Sequence, residues 1–228
     1  MVVQRVADAG TKSRILDAAE QLFMEHGFEA TSMRQLTTAA GVNLAAVNYH
    51  FGTKEELFQA VLTRRLDPMN QERIELLDEL EREAAGKPAS CEKILASMLI
   101  PALRLARDEK RGGKNFLRLL GRAYADPAPF IRHFLSAQYA EMIGRYKEAF
   151  LKALPHLSRQ ELTWRLHFVM GALSYTLAGT DALKLFAEAT STTNNDELLL
   201  QRLAPFLVAG LKAPALTETR RLELVAGL

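Results

Sequence analysis

The stretch 31–54, TSMRQLTTAAGVNLAAVNYHFGTK, gathers side chains of the types that contact double-stranded DNA. Arg34 is placed to meet a guanine edge or a phosphate, Asn48 can pair with adenine, and the methyls of Ala45 and Ala46 can pack on thymine methyls. Tyr49, Thr53 and Lys54 suit the phosphodiester backbone, and Thr31, Ser32, Asn43, Leu44 and His50 fall in the same span. No Arg or Lys stands between Gly41 and Gly52, so the bidentate grip on guanine is not available from that segment. Net charge does not advertise this chemistry. Residues 1–60 hold five basic and seven acidic side chains, so the signal lies in placement.

Those residues need short helices to present them. Ser32-x-x-Gln35 is a capping-box pattern, and Met33, Leu36, Thr37 and Ala40 then recur on one helix face. Gly41 suits the left-handed C-terminal cap, Asn43 can cap a second helix, and Val47 and Phe51 lie one turn apart on its inner side. Gly52 closes that helix and Thr53-x-x-Glu56 opens another with a second capping box. Helix, glycine turn, short helix is the geometry that seats a recognition helix in a major groove.

Ala40-Gly41-Val42-Asn43 followed by Tyr49-His50-Phe51-Gly52-Thr53-Lys54-Glu55-Glu56-Leu57 resembles the signature of the TetR family of bacterial transcriptional repressors. The resemblance covers roughly Thr11 to Leu66, about a quarter of the chain, with two departures from the family's pattern. Asn43 stands where Ser or Thr is usual, an exchange among good N-caps, and Asn48 stands where Tyr is usual. The resemblance implies a homodimeric repressor that binds operator DNA through its N-terminal domain and is released by a small-molecule effector held in its C-terminal domain. The stretch NLAAVNYHFG is closest to members that respond to fatty acids or similar apolar compounds. An effector-independent accessory DNA-binding protein is the alternative.

The remainder of the 228-residue chain reads as all-α. Residues 1–10 lack periodicity and are expected to form a flexible arm. Residues 11–66 are expected to form the helix-turn-helix domain, with Ile15, Ala18, Ala19, Leu22 and Phe23 on the inner face of its first helix. Asp67-Pro68 is expected to break the helix that begins at Thr53. Residues 67–214 then form a larger effector-binding and dimerisation domain, and 215–228 a tail. Asp126-Pro127 is expected to start one long helix running through Leu154. The segments 162–178 and 196–211 are apolar almost all round, which requires cover on both sides. By resemblance they pack against their two-fold copy, with Leu173 at the interface.

Catalytic and metal constellations are absent from the sequence: no G-x-S-x-G elbow, no phosphate loop and no H-E-x-x-H pair among the five histidines. The protein is therefore expected not to be an enzyme and to need no cofactor or metal. His133 and His167 are expected at interior or boundary positions, and Arg118, Arg122, Arg132, Arg145 and Arg165 on solvated faces or in local ion pairs. Met98, Phe116, Leu120, Tyr124, Phe134, Met142, Phe168 and Met170 can be plain core or, as the resemblance favours, effector-pocket wall. The lone Cys91 excludes an intramolecular disulfide, and no apolar run approaches the ~18 residues of a membrane span. The expected partners are double-stranded operator DNA, a second copy of the chain and a small-molecule effector, without a membrane. The expected location is the bacterial cytoplasm, at the nucleoid when bound to DNA.

Overall fold

The structure, a computed structural model, describes residues 2–109, 112–126, 128–177 and 196–215. The readings placed on Pro127, Ala178 and the tail beyond Ala215 lie outside them. All regular structure among the described residues is helical. The head comprises α1 (Val2–Ala30), α2 (Met33–Ala40), α3 (Leu44–Phe51) and the first half of α4 (Lys54–Glu83). Then follow α5 (Cys91–Arg107), α6 (Gly113–Ala125), α7 (Pro129–Gln138), α8 (Ala140–Ala153), α9 (Arg159–Leu177) and α10 (Asp196–Lys212).

The local signals of the head are realised. Ser32 and Thr53 each close a complete capping box, Asn43 caps α3, and Gly41 takes the left-handed conformation at φ 62°. Gly52, at φ 72°, cannot be replaced cheaply, since a Cβ there would collide with the Glu56 carboxylate that completes the second box. Gly27, at φ 81°, interrupts α1 near its end and turns Phe28 back onto Phe23, ring centroids 6.0 Å apart.

Three expectations are corrected. Residues Val2–Gly10 continue α1 where an irregular arm was expected. The segment holds no proline, and one glycine costs a helix only about 1 kcal/mol relative to alanine. The expected break at Asp67-Pro68 does not occur, and α4 runs 30 residues straight through Pro68. Proline removes one N–H from the ladder, but Leu62, Leu66 and Met69 around it are buried, and tertiary burial outweighs the local preference. Pro101 and Pro205 are likewise carried inside α5 and α10. The expected long helix after residue 126 is two helices, because Tyr139 (φ −113°, ψ 18°) leaves helical geometry between α7 and α8. Its ring is buried and its hydroxyl donates to Asp67 Oδ1 at 3.0 Å, which ties the joint to α4. Desolvation first, and Asp67 second, raise the Tyr139 phenol.

Two buried clusters hold these helices. The first joins Ile15 and Phe23 of α1, Leu36 of α2, Val47 and Phe51 of α3 and Leu57–Met69 of α4 to Ala102, Phe116 and Ile131. Its aromatic centre runs Phe23, Phe58, Phe28, Phe130 at centroid separations of 5.1, 5.1 and 4.9 Å. The head therefore shares its core with α5, α6 and α7, and residue 66 is not a boundary of burial. The second cluster joins Leu77, Ile94, Leu95, Tyr146, Phe150, Leu162, Leu173 and Leu211, and Met142 packs against both. Cys91 is buried in the second cluster, and burial with the neighbouring Glu92 raises its thiol to about 11, against a smaller opposing pull from Lys212. A thiol so shifted is inert at neutral pH.

Candidate nucleic-acid interface

Burial sorts the residues of the head into those held by the fold and those offered to a partner. Val47 and Phe51 of α3 face the first cluster, which turns Leu44, Ala45, Asn48 and Tyr49 outward and leaves Ala46 and His50 half-buried. Leu44 is 50 % and Tyr49 78 % exposed. Arg34 stands exposed on α2. Leu44, Ala45, Asn48 and Tyr49 share the single helix α3, and Arg34 lies on α2 across the turn at Gly41.

Other candidates are committed inside the protein. Thr31 is fully buried, its hydroxyl donating to the Gly27 carbonyl at 2.7 Å and within 3.3 Å of that of Leu22. It fastens the α1–α2 turn and is withdrawn as a side-chain contact. Asn43 Oδ1 accepts the Ala46 N–H at 2.8 Å, Ser32 Oγ accepts from Gln35 N–H, and Thr53 Oγ1 accepts from Glu56 N–H. Their chemistry is that of helix caps. Lys54 is half-buried, its ammonium 4.3 Å from the centre of the Phe28 ring and 3.5 Å from the Glu29 carbonyl. It locks α4 against the end of α1 as well as carrying charge at the surface.

An open groove of 740 Å³ lies beside the outward face of α3, walled by Lys12, Asn48, Tyr49, Phe51, Glu56 and Arg64. Lys12 approaches the Phe51 ring at 5.8 Å and brings a cation from α1 to the edge of α3. Beneath the groove Glu20, 3 % exposed, binds both Arg64 and Arg65, while Arg64 also reaches Asp17 at 2.5 Å. Gly112, at the start of α6, sits on the same carboxylate, with only 3.1 Å between a Cβ there and Glu20 Oε1. This cluster joins α1, α4 and α6 and was not found in the sequence. Its signal was a charge on the apolar side of α1, one turn from both Leu16 and Met24.

The eight residues considered for an effector wall separate into three groups. Phe116 and Leu120 are completely buried in the first cluster and serve as core. Phe168 is 64 % exposed on α9 and faces away from the interior. Met98, Tyr124, Phe134, Met142 and Met170 are partly buried against the two clusters. Neither the groove beside α3 nor a 220 Å³ depression between α4 and α5 is lined by any of the eight. His133 and His167 are exposed rather than interior. Arg165, expected on a solvated face or in a local ion pair, is buried; it pairs with Glu161 one turn away at 3.0 Å and also donates to the carbonyls of Leu211 at 2.9 Å and Pro214 at 3.0 Å. No group of His, Cys, Asp or Glu among the described residues could hold a metal ion, and no helix among them is long and apolar enough to cross a membrane.

Residues 15–61 match the family model described as bacterial regulatory proteins, tetR family, and residues 96–210 match the tetracyclin repressor-like C-terminal domain. The transcriptional repressor AcnR of Corynebacterium glutamicum is 45 % identical over 56 residues, 24 % of this chain and 30 % of its own. The repressor BepR of Brucella suis is 35 % identical over 104 residues, 45 % of this chain and 46 % of its own. The chain thus spans less than half of the length of these relatives. Among solved structures, the fatty acid degradation regulator FadR of Bacillus halodurans aligns at a TM-score of 0.55 and 16 % identity, covering 89 % of this chain and 96 % of that one. A regulatory protein from Rhodococcus RHA1 aligns at 0.52 and 15 %, covering 90 % and 98 %. At such identities the likeness is one of fold.

Proposed function

Since the chain belongs to the TetR family of bacterial regulatory proteins, we propose that it is a homodimeric transcriptional repressor that binds operator DNA and is released by a small apolar effector. The observation that carries the DNA-binding part is the outward arc of α3, Leu44, Ala45, Asn48 and Tyr49, held between two capped glycine turns. Selection from a random duplex library tests it directly. A protein that enriches no sequence overturns the reading. Within the selected duplex, Asn48→Ala is expected to cost about 1–3 kcal/mol and to relax preference at one position, as removal of a base contact does. Equal weakening on selected and scrambled duplexes would exclude base reading by Asn48. Arg34→Ala is the comparison for a phosphate contact, which lowers affinity on all sequences and flattens the salt dependence.

Dimerisation is supported by apolar surface left on the last two helices. Trp164, Phe168 and Tyr175 of α9 and Phe206 of α10 are 55, 64, 55 and 70 % exposed, and Trp164 stacks on Phe168 at 6.2 Å. A surface of this kind marks an association site. Leu173, expected at the interface, points into the chain's own second cluster and is only 6 % exposed, so a substitution there tests the core instead. Phe168→Glu is the discriminating variant. It is expected to leave the monomer folded while raising the dimer dissociation constant at least tenfold, measured by analytical ultracentrifugation. A wild-type monomer at micromolar concentration would contradict the assembly.

The effector is proposed to enter among Met98, Tyr124, Met142 and Met170, side chains that adapt to apolar ligands and are not fully enclosed by the two clusters. It lowers DNA affinity by its preference for the conformation with misplaced recognition helices, a coupling of about 1–3 kcal/mol in most allosteric proteins.

A further inference from the structure

We propose that Leu44, with Ala45 beside it, is a specificity-determining residue that reads the 5-methyl group of a pyrimidine in the major groove. The proposal rests on the DNA-binding reading above and names the chemistry which that surface selects. Leu44 is the first residue of α3, and the N-terminal residues of a recognition helix are the ones that meet base edges. It is half exposed and does not belong to the apolar residues packed on either buried cluster. The fold therefore gains little from a leucine there.

The one polar side chain on the same turn, Asn43, has its acceptor oxygen already engaged. The Asn43 side chain accepts the Ala46 N–H at 2.8 Å as the cap of α3, and the helix sequence LAAVNYHF contains no Arg or Lys. What the first turn presents to a groove is thus two apolar side chains. Along the major-groove edge the C5-methyl of thymine is the one apolar group that projects toward a protein, cytosine carrying only C5–H at that position. A leucine set against the polar part of an edge desolvates groups it cannot satisfy, whereas against a methyl it removes apolar surface from water. Thymine and 5-methylcytosine present that methyl group alike.

The test uses the full chain and a duplex chosen by selection. Each thymine is replaced in turn by uracil, which deletes the methyl and leaves every hydrogen bond in place. Loss of one buried methyl corresponds to about a fourfold fall in affinity. That loss is expected at one or two positions in each half-site. It should persist unchanged from low to high salt, because no counterion is released at a methyl contact. In Leu44→Ala the uracil substitution is expected to lose its effect at one of these positions, the one that Leu44 covers.

A second arm places C·G at the sensitive position and compares it with 5-methylcytosine·G. A gain of about fourfold on methylation shows that either source of the methyl satisfies the patch, and its absence assigns recognition to thymine. Uracil substitution without effect at every position overturns the proposal while leaving DNA binding intact. Uracil sensitivity retained at every position in Leu44→Ala also overturns it, by moving methyl recognition to another residue. Failure to select any duplex defeats this proposal and the DNA-binding reading together.

Discussion

Arg165→Met is expected to lower the stability of the protein by about 3 kcal/mol, the scale of losing one partner from a buried charged network. Arg165 is 8 % exposed on α9 and serves the end of α10, donating to the carbonyls of Gly210, Leu211, Ala213 and Pro214 at 3.3, 2.9, 2.5 and 3.0 Å. A helix leaves its last carbonyls without internal partners, and a cation there satisfies them and the negative end of the helix dipole together. Methionine keeps much of the volume and none of the donors. In a chain of this length the loss corresponds to roughly 10 °C in Tm, followed by circular dichroism. The control is Arg159→Met on the same helix, whose 2.5 Å pair with Glu148 is exposed on both sides. That substitution should leave Tm unchanged. A Tm of Arg165→Met close to wild type would show that water caps α10 as well as the guanidinium does.

Glu20→Gln should be nearly as costly, at about 2–4 kcal/mol. The substitution preserves shape but leaves Arg65, whose side chain is 18 % exposed, without its carboxylate, and leaves Arg64 only the exposed Asp17. Glu20 also lies close against Gly112 at the start of α6, so the cluster reaches beyond the head. Urea denaturation is the measurement. The midpoint should fall with the slope unchanged, because the surface exposed on unfolding stays the same. Unaltered stability would mean that desolvating the carboxylate already cancels what its two ion pairs contribute.

The helix-turn-helix was legible because its determinants are local. Capping boxes at Ser32 and Thr53, the glycines at 41 and 52 and the spacing of Val47 and Phe51 each act within one turn of chain. Even there, type and spacing could not show which polar residues the fold would consume. Thr31, Asn43 and Lys54 have the chemistry of DNA contacts, yet each is engaged by the protein itself. The second domain was less legible because its determinants are distant. Pro68 carries a strong local signal for a break that burial of Leu66 and Met69 overrides, while Tyr139 carries none for a break that Asp67, 72 residues away, stabilises. A methionine or phenylalanine on an amphipathic helix reads alike whether it fills a core, as Phe116 does, or faces out, as Phe168 does. Arg165 could not be recognised as a cap because the carbonyls it serves lie 45 to 49 residues further along the chain.

The unbroken course of α4 has a mechanical meaning. Thirty residues at about 1.5 Å each make a rod about 45 Å long, with Thr53 at one end beside the outward face of α3 and Leu77 in the second cluster near the other. Had Pro68 divided it, motion at one end would have been absorbed at a joint. As a single rod it is a lever arm. Tilting it by only about 5° about its far end sweeps the near end through about 4 Å, more than the step of about 3.4 Å between successive base pairs. A tilt of that size would have to carry the head with it, since Leu57, Phe58, Val61 and Leu62 of the near half are buried in the first cluster.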